Sequence, residues 1–161
     1  MTLARALFSF GPLVLLAACG GSGDSASAPE AQPAGATSAD IGAYVVHFSA
    51  QSTDQLPPEV ARAYNIVRSK NRAMLNVSII RESDNIPVGA AVTVKTVNLT
   101  GQLKTVTMRK IEEPGDVVAI YYIGETPVAT RETLIFDISV KPDGESASSE
   151  VRFKRQFYTD S

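Results

Sequence analysis

One cysteine, one histidine, three methionines and a short run of cations are the residues here whose types could do chemistry. Cys19 closes the stretch Leu16-Ala17-Ala18-Cys19. Small residues ahead of a cysteine suit a peptidase cleft, and a thiol at the cut site is a substrate for thioether transfer of diacylglycerol. The stretch reads as a lipobox with Cys19 as the lipidation site. A lone exposed thiol on an exported domain is a redox hazard, and a thioether is not. His47 and the methionines Met74 and Met108 have the donor atoms of a soft copper(I) site. Their spacing matches no known ligand pattern, and core packing accounts for both methionines. Zinc needs several converging Cys, His or carboxylate ligands, and no calcium loop of alternating Asp and Asn is present. No Gly-x-Ser-x-Gly elbow occurs for a catalytic triad around His47. The expectation is therefore no catalytic residue, no metal site, no cofactor and no enzymatic activity.

Arg68, Lys70 and Arg72, with Asn71 between the last two, form the local basic cluster Arg68-Ser69-Lys70-Asn71-Arg72. Crowded cations are relieved by an anion such as a lipid phosphate, a glycan carboxylate or an acidic protein segment. Arg68, Lys70, Asn71 and Arg72 are accordingly the candidate partner-binding residues. The competing reading is a solvated loop that only keeps the surface soluble.

Three segments position these residues. Residues 1–18 carry Arg5 and then a run of roughly 13 apolar residues, too short to span the hydrocarbon core of a bilayer. They read as a lipoprotein signal peptide. Residues 19–40 read as lipidated Cys19 and a tether. Gly20 to Asp40 hold no Val, Ile, Leu, Met or aromatic residue, so disorder is expected. Each buried methylene of a fatty acyl chain such as palmitate contributes about 0.8 kcal/mol, and two or three chains hold permanently. Gly20 stands where an inner-membrane retention signal would place Asp. The expected location is periplasm-facing and membrane-anchored, on the outer membrane in a two-membrane host.

Residues 41–161 remain, about 120 residues and the size of one domain. The whole chain carries 15 Lys+Arg and 17 Asp+Glu. Leaving out Arg5 on one side and Asp24, Glu30 and Asp40 on the other leaves 14 of each in the domain. Such a balance gives no footprint for nucleic acid or for an anionic membrane surface. Period-two alternation marks seven strands at 41–50, 74–81, 91–100, 102–111, 117–124, 132–141 and 150–158. The clearest places Leu134, Phe136, Ile138 and Val140 on one face. Within 91–100 the apolar phase shifts from Val92 and Val94 to Val97 and Leu99, which suggests a β-bulge near Lys95–Thr96. Arg155 falls in phase with Val151, Phe153 and Phe157, so either a bulge turns it out or the inner face opens there. Leu56 to Asn65 reads as a short helix, with Pro58 at its first position. The fold class expected is an all-β, immunoglobulin-like antiparallel sandwich of about seven strands, with one short helix between the first two.

Four stretches carry a resemblance. Tyr64 to Ser78, Asn98-Leu99-Thr100-Gly101-Gln102-Leu103-Lys104, Ile120-Tyr121-Tyr122-Ile123 and Gln156-Phe157-Tyr158-Thr159-Asp160 run in order along the chain. Together they resemble the uncharacterised proteobacterial envelope family known as domain of unknown function 4426, over nearly all of 41–161. The resemblance implies a periplasmic location and a compact β-rich domain, and it implies no reaction. The function expected is a lipid-anchored binding or assembly module for a protein or other envelope component. A periplasmic carrier of a small ligand or of copper is the alternative. The partners expected are the membrane, through the N-terminal lipid, and one envelope component.

Overall fold

The computed structural model describes residues 30–160. Cys19 and the signal segment lie outside them. Ten strands and one short helix make up the domain: β1 Ser38–Ile41, β2 Tyr44–Ser52, α1 Pro58–Ala63, β3 Arg72–Arg81, β4 Ile86–Pro87, β5 Ala90–Asn98, β6 Leu103–Lys104, β7 Arg109–Glu113, β8 Ala119–Pro127, β9 Thr133–Pro142 and β10 Ser149–Gln156. One sheet runs β1-β2-β3-β8-β7, with β4 also on β3, and the other runs β10-β9-β5-β6. Every strand pairing is antiparallel.

Alternation builds the core between the sheets. Val46 and Phe48 of β2, Leu75, Val77 and Ile79 of β3, Leu134, Phe136, Ile138 and Val140 of β9, and Val151 and Phe153 of β10 are all buried in one cluster. Phe153 stacks at 4.6 Å on Phe48 of the opposite sheet and at 4.9 Å on Phe136 beside it. Those rings bring the two sheets together without a disulfide.

Ten strands replace the expected seven because two of the expected runs divide. Gly42, at φ 72, allows a two-residue loop that folds the first run into the β1–β2 hairpin. The helix consequently falls between the second and third strands. Residues 102–111 divide into β6 and β7, which belong to different sheets. The chain crosses between sheets at 105–108, and Gly124 makes room for it. A Cβ on Gly124 would lie 2.6 Å from Val106 Cγ1 and 2.7 Å from Met108 Sδ. The short β4 adds the third extra strand.

The expected bulge at Lys95–Thr96 is absent. β5 pairs with β9 without interruption from Ala90↔Pro142 to Asn98↔Leu134. Thr96 takes the inner position opposite Phe136 and is buried, while Val97 and then Leu99 face outward. The apolar phase shift comes from residues on the outer face, Val97 half-buried and Leu99 exposed, not from a change of register. Arg155 also sits in unbroken register, against Leu134, and is exposed. The inner face opens at that end.

Backbone pairing begins upstream of Ile41. Ala31 bridges Arg152 in parallel, and Gln32 N donates to Arg152 O at 2.7 Å. Ala36 then packs against the core and β1 joins β2. Residues 31–41 thus pass from the β10 edge of one sheet to the β2 edge of the other. Main-chain hydrogen bonds, which need no particular side chain, hold this small-residue segment.

Candidate functional site

On the side of the six-stranded sheet turned away from the main core, the strands are apolar again. Met74 of β3 and Ile123 of β8 are buried with Leu56, Ala61 and Ile66 in a second cluster, and Ile111 of β7 packs against it. Helix α1 is the lid that makes this possible. Pro58 starts it, and Asn65 at φ 54 ends it. Ile66 N then donates to Ala61 O at 2.8 Å, the turn that returns Ile66 to the sheet. The Arg109 guanidinium donates to Tyr64 O and ties this corner to β7.

The lid is shorter than the sheet is wide. Beside it lies a groove of about 320 Å³, walled by Leu56, Val60, Tyr64 and Ile66 and floored by Met74, Asn76, Ile111 and Ile123. Ser49, Gln51, Glu113 and Tyr121 form its polar margin. Asn76 is at the centre of the floor, in register between Ser49 of β2 and Ile123 of β8. Its Oδ1 is buried and makes no hydrogen bond within the described residues. Leaving a buried amide oxygen unpaired costs about 1–3 kcal/mol. A mainly apolar concavity with one such acceptor suits an apolar group that carries an N–H or O–H donor.

The basic loop predicted as a contact region leaves this groove at Ile66 and runs into β3. Thr53, fully buried, clamps it: the hydroxyl lies 2.8 Å from Val67 O and 3.1 Å from Ser69 O and accepts from Ser69 N at 2.9 Å. Arg68 Nη2 donates to Asp54 O at 2.5 Å. Arg72 pairs with Glu125 at 3.6 Å, and Asn71 O accepts from Val128 N at 2.9 Å. Arg68, Lys70 and Asn71 are exposed and Arg72 is half-buried. The four residues therefore share one fixed loop, in which Lys70 alone has neither an ion-pair nor a hydrogen-bond partner among the described residues. Nothing in the residue pattern of the loop singled out Thr53.

His47 and the methionines do not converge. Met74 lies under α1 and Met108 packs against the core on the other side of the sheet. His47 is exposed on β2. Among the described residues no three His, Cys, Asp or Glu side chains group as metal ligands.

A polar network braces the β5–β6 hairpin. Lys104 Nζ lies 2.9 Å from a Glu132 oxygen. Asn98 Nδ2 donates to Glu132 at 2.9 Å, and so does Ala129 N. Burial pushes the Glu132 carboxyl up, but the hydrogen bonds from Lys104, Asn98 and Ala129 outweigh it and hold the carboxyl below its ordinary value. At the hairpin tip the Asn98 carboxamide oxygen accepts from Thr100 N, Thr100 Oγ1 and Gln102 N, and Gly101 turns at φ 82.

Set beside known proteins, residues 38–160 match the sequence profile of the family described as Domain of unknown function (DUF4426). The chain belongs to the DUF4426 family. A crystal structure of a DUF4426 family protein from Pseudomonas aeruginosa PAO1 is similar at 33% identity and TM-score 0.66, covering 77% of this chain and 95% of that one. A family 123 glycoside hydrolase from Clostridium perfringens reaches TM-score 0.32 at 10% identity, over 70% of this chain and 27% of that one, too little to carry an argument. No curated protein sequence matches. The DUF4426 match begins at Ser38, where β1 begins, downstream of the Ala31–Gln32 contact with β10.

Proposed function

We propose that this DUF4426 protein is a lipid-anchored, non-enzymatic binding domain facing the periplasm, and that its recognition site is the groove beside α1. One observation carries the reading: an apolar concavity of about 320 Å³ with the unpaired Asn76 Oδ1 in its floor. A buried acceptor without a partner is costly, and a ligand that donates to it recovers that cost. The occupant is an apolar group bearing one donor, presented by an envelope component. The lipobox Leu16-Ala17-Ala18-Cys19 supports the anchor. Among the described residues no helix is long and apolar enough to cross a membrane. The lack of converging donors around Met74, Met108 and His47 speaks for a protein or organic ligand over copper.

Two measurements test the two halves. Intact mass of the protein purified from membranes gives a chain that begins at Cys19 and carries diacylglyceryl and acyl groups; Cys19→Ser gives neither. An unmodified Cys19 in membrane-bound protein overturns the anchor. For the groove, Ser49→Trp puts a large ring at its exposed margin without touching the core. Native mass spectrometry of gently solubilised protein shows an occupant on the parent chain that Ser49→Trp lacks. An occupant retained at equal stoichiometry by Ser49→Trp places recognition elsewhere.

A further inference from the structure

Among the described residues seven large apolar side chains are exposed; Ile86, Val117 and Val118 lie at one end of the sandwich, and the four most exposed lie at the other. Val67 is 68% exposed, Leu99 70%, Leu103 66% and Tyr158 58%. Leu99 and Leu103 flank the β5–β6 tip. Leu99 and Tyr158 line one cleft with Lys154, Arg155, Ala34 and Gly35. Val67 belongs to the same end because its carbonyl is held by Thr53, directly after β2 ends at Ser52, and Ser52 also lines that cleft. Soluble surfaces seldom gather apolar groups in this way without a partner.

Charge divides along the same axis. At this end Lys70, Arg131, Lys154 and Arg155 are exposed and form no ion pair among the described residues, and Arg68 adds a fifth cation. The acids at this end are Asp54, Asp160, Glu125, which pairs with Arg72, and Glu132, which pairs with Lys104. At the opposite end the turns carry Glu82, Asp84, Asp116, Asp143 and Glu145, against Arg81, Lys110 and Lys141. A domain balanced in total charge is thus polarised, with its cations around its exposed leucines. Apolar side chains ringed by Lys and Arg fit an anionic bilayer, where the rings and leucines enter the headgroup layer and the cations meet lipid phosphates.

We infer that this end of the domain docks on an anionic lipid surface, Leu99 and Leu103 entering it and Lys70, Lys154 and Arg155 contacting phosphates. The tip is prepared for insertion: Asn98 fixes its backbone and the Lys104–Glu132 pair fixes its base. Attachment length agrees. Ala31 is held beside Arg152, three residues or roughly 10 Å along β10 from Arg155. The twelve residues from Cys19 to Ala31 span at most about 40 Å, so a lipid at Cys19 keeps the domain within reach of the bilayer. The inference takes its attachment point from the anchor reading above. It also explains why the apolar phase shifts on β5: Val97 and Leu99 face outward as part of a surface that is covered in use.

The chain has no tryptophan, so one introduced ring is a clean reporter. The chain from Cys19 onward, coupled through Cys19 to a maleimide lipid, is placed on vesicles of phosphatidylethanolamine and phosphatidylglycerol containing brominated acyl chains. Leu99→Trp and Leu103→Trp are expected to lose at least about half their emission and shift to the blue. Ile86→Trp, exposed at the acidic end, is expected to keep its emission. On phosphatidylcholine, or with Lys154→Glu and Arg155→Glu added, quenching of Leu99→Trp falls several-fold. Absence of quenching at Leu99→Trp, or equal quenching at Ile86→Trp, overturns the inference. So does a concentration-dependent blue shift of Leu99→Trp without vesicles, which would make the patch a contact between copies. Coupling is chemical here, so these outcomes do not depend on whether cells acylate Cys19, which the mass measurement decides separately.

Discussion

Replacing Thr53 by valine keeps the shape of a fully buried side chain and removes one hydroxyl. That hydroxyl accepts from Ser69 N at 2.9 Å and has a proton for one of two carbonyls, Val67 O at 2.8 Å or Ser69 O at 3.1 Å. Valine leaves the Ser69 N–H and one carbonyl without partners. Each net hydrogen bond is worth about 1 kcal/mol, and a buried orphan costs about 1–3 kcal/mol. These groups are only partly buried, so water can reach them once the loop loosens, which sets the total near the lower end, about 2 kcal/mol. With about 2.1 cal/mol/K of unfolding entropy per residue over about 130 residues, that lowers Tm by about 7 °C. Thermal denaturation followed by circular dichroism reads the shift. Amide exchange locates it: Ser69 should lose protection by more than Val77, which sits in the inter-sheet core. Thr53→Val with Tm unchanged within about 1 °C and Ser69 protection intact would refute the idea that this hydroxyl holds the basic loop.

Phe136→Ala removes a ring 1% exposed that stacks on Phe153, and should cost about 3–5 kcal/mol in chemical denaturation, whereas Thr93→Ala on the exposed face should cost under about 1 kcal/mol. Gly124→Ala drives a methyl into Val106, Met108 and the Thr107 carbonyl, 3.1 Å away, and should cost about 1–3 kcal/mol and shift the methyl resonances of Val106. Glu132→Gln breaks the Lys104 pair and should cost about 1–3 kcal/mol at neutral pH. Because the folded carboxyl is held below its ordinary value of 4.5, its contribution is complete above that value and is lost as pH falls through the lower folded one. Urea titrations of parent and Glu132→Gln should therefore converge in acid, and a gap that stays constant down through that range would contradict the assigned hydrogen bonds.

Strict alternation made much of the fold legible. Leu134, Phe136, Ile138 and Val140 face the core as their spacing requires, and Pro58 starts the helix. The two-sheet architecture follows from such runs, because a strand with one apolar face needs another sheet to cover it. Where both faces of a strand meet something apolar, alternation stops being informative. Ala73, Met74 and Leu75 are buried in succession, as are Tyr122, Ile123 and Gly124, because the core covers one side and α1 the other. Those uninterrupted runs were the available signal for the groove. Val97 and Leu99 misled for the opposite reason: apolar residues on a solvent face imitate a register change. Residues 31–41 carry no apolar stripe of large side chains and are held by backbone bonds, which leave no trace in residue type. The basic loop was legible as charge, but not its restraint. Asp54 O, Glu125 and Thr53 reach it from other elements, and only the fold brings them there.

Site-specific photo-crosslinking in intact cells tests the proposed groove most directly. A benzoylphenylalanine in place of Tyr121 stands at the groove margin, and one in place of Glu150 stands exposed on the other sheet. Recognition in the groove predicts a discrete adduct at position 121 that disappears when Ser49→Trp is added, with none at position 150. No adduct at position 121, or an adduct that Ser49→Trp leaves undiminished, would contradict it.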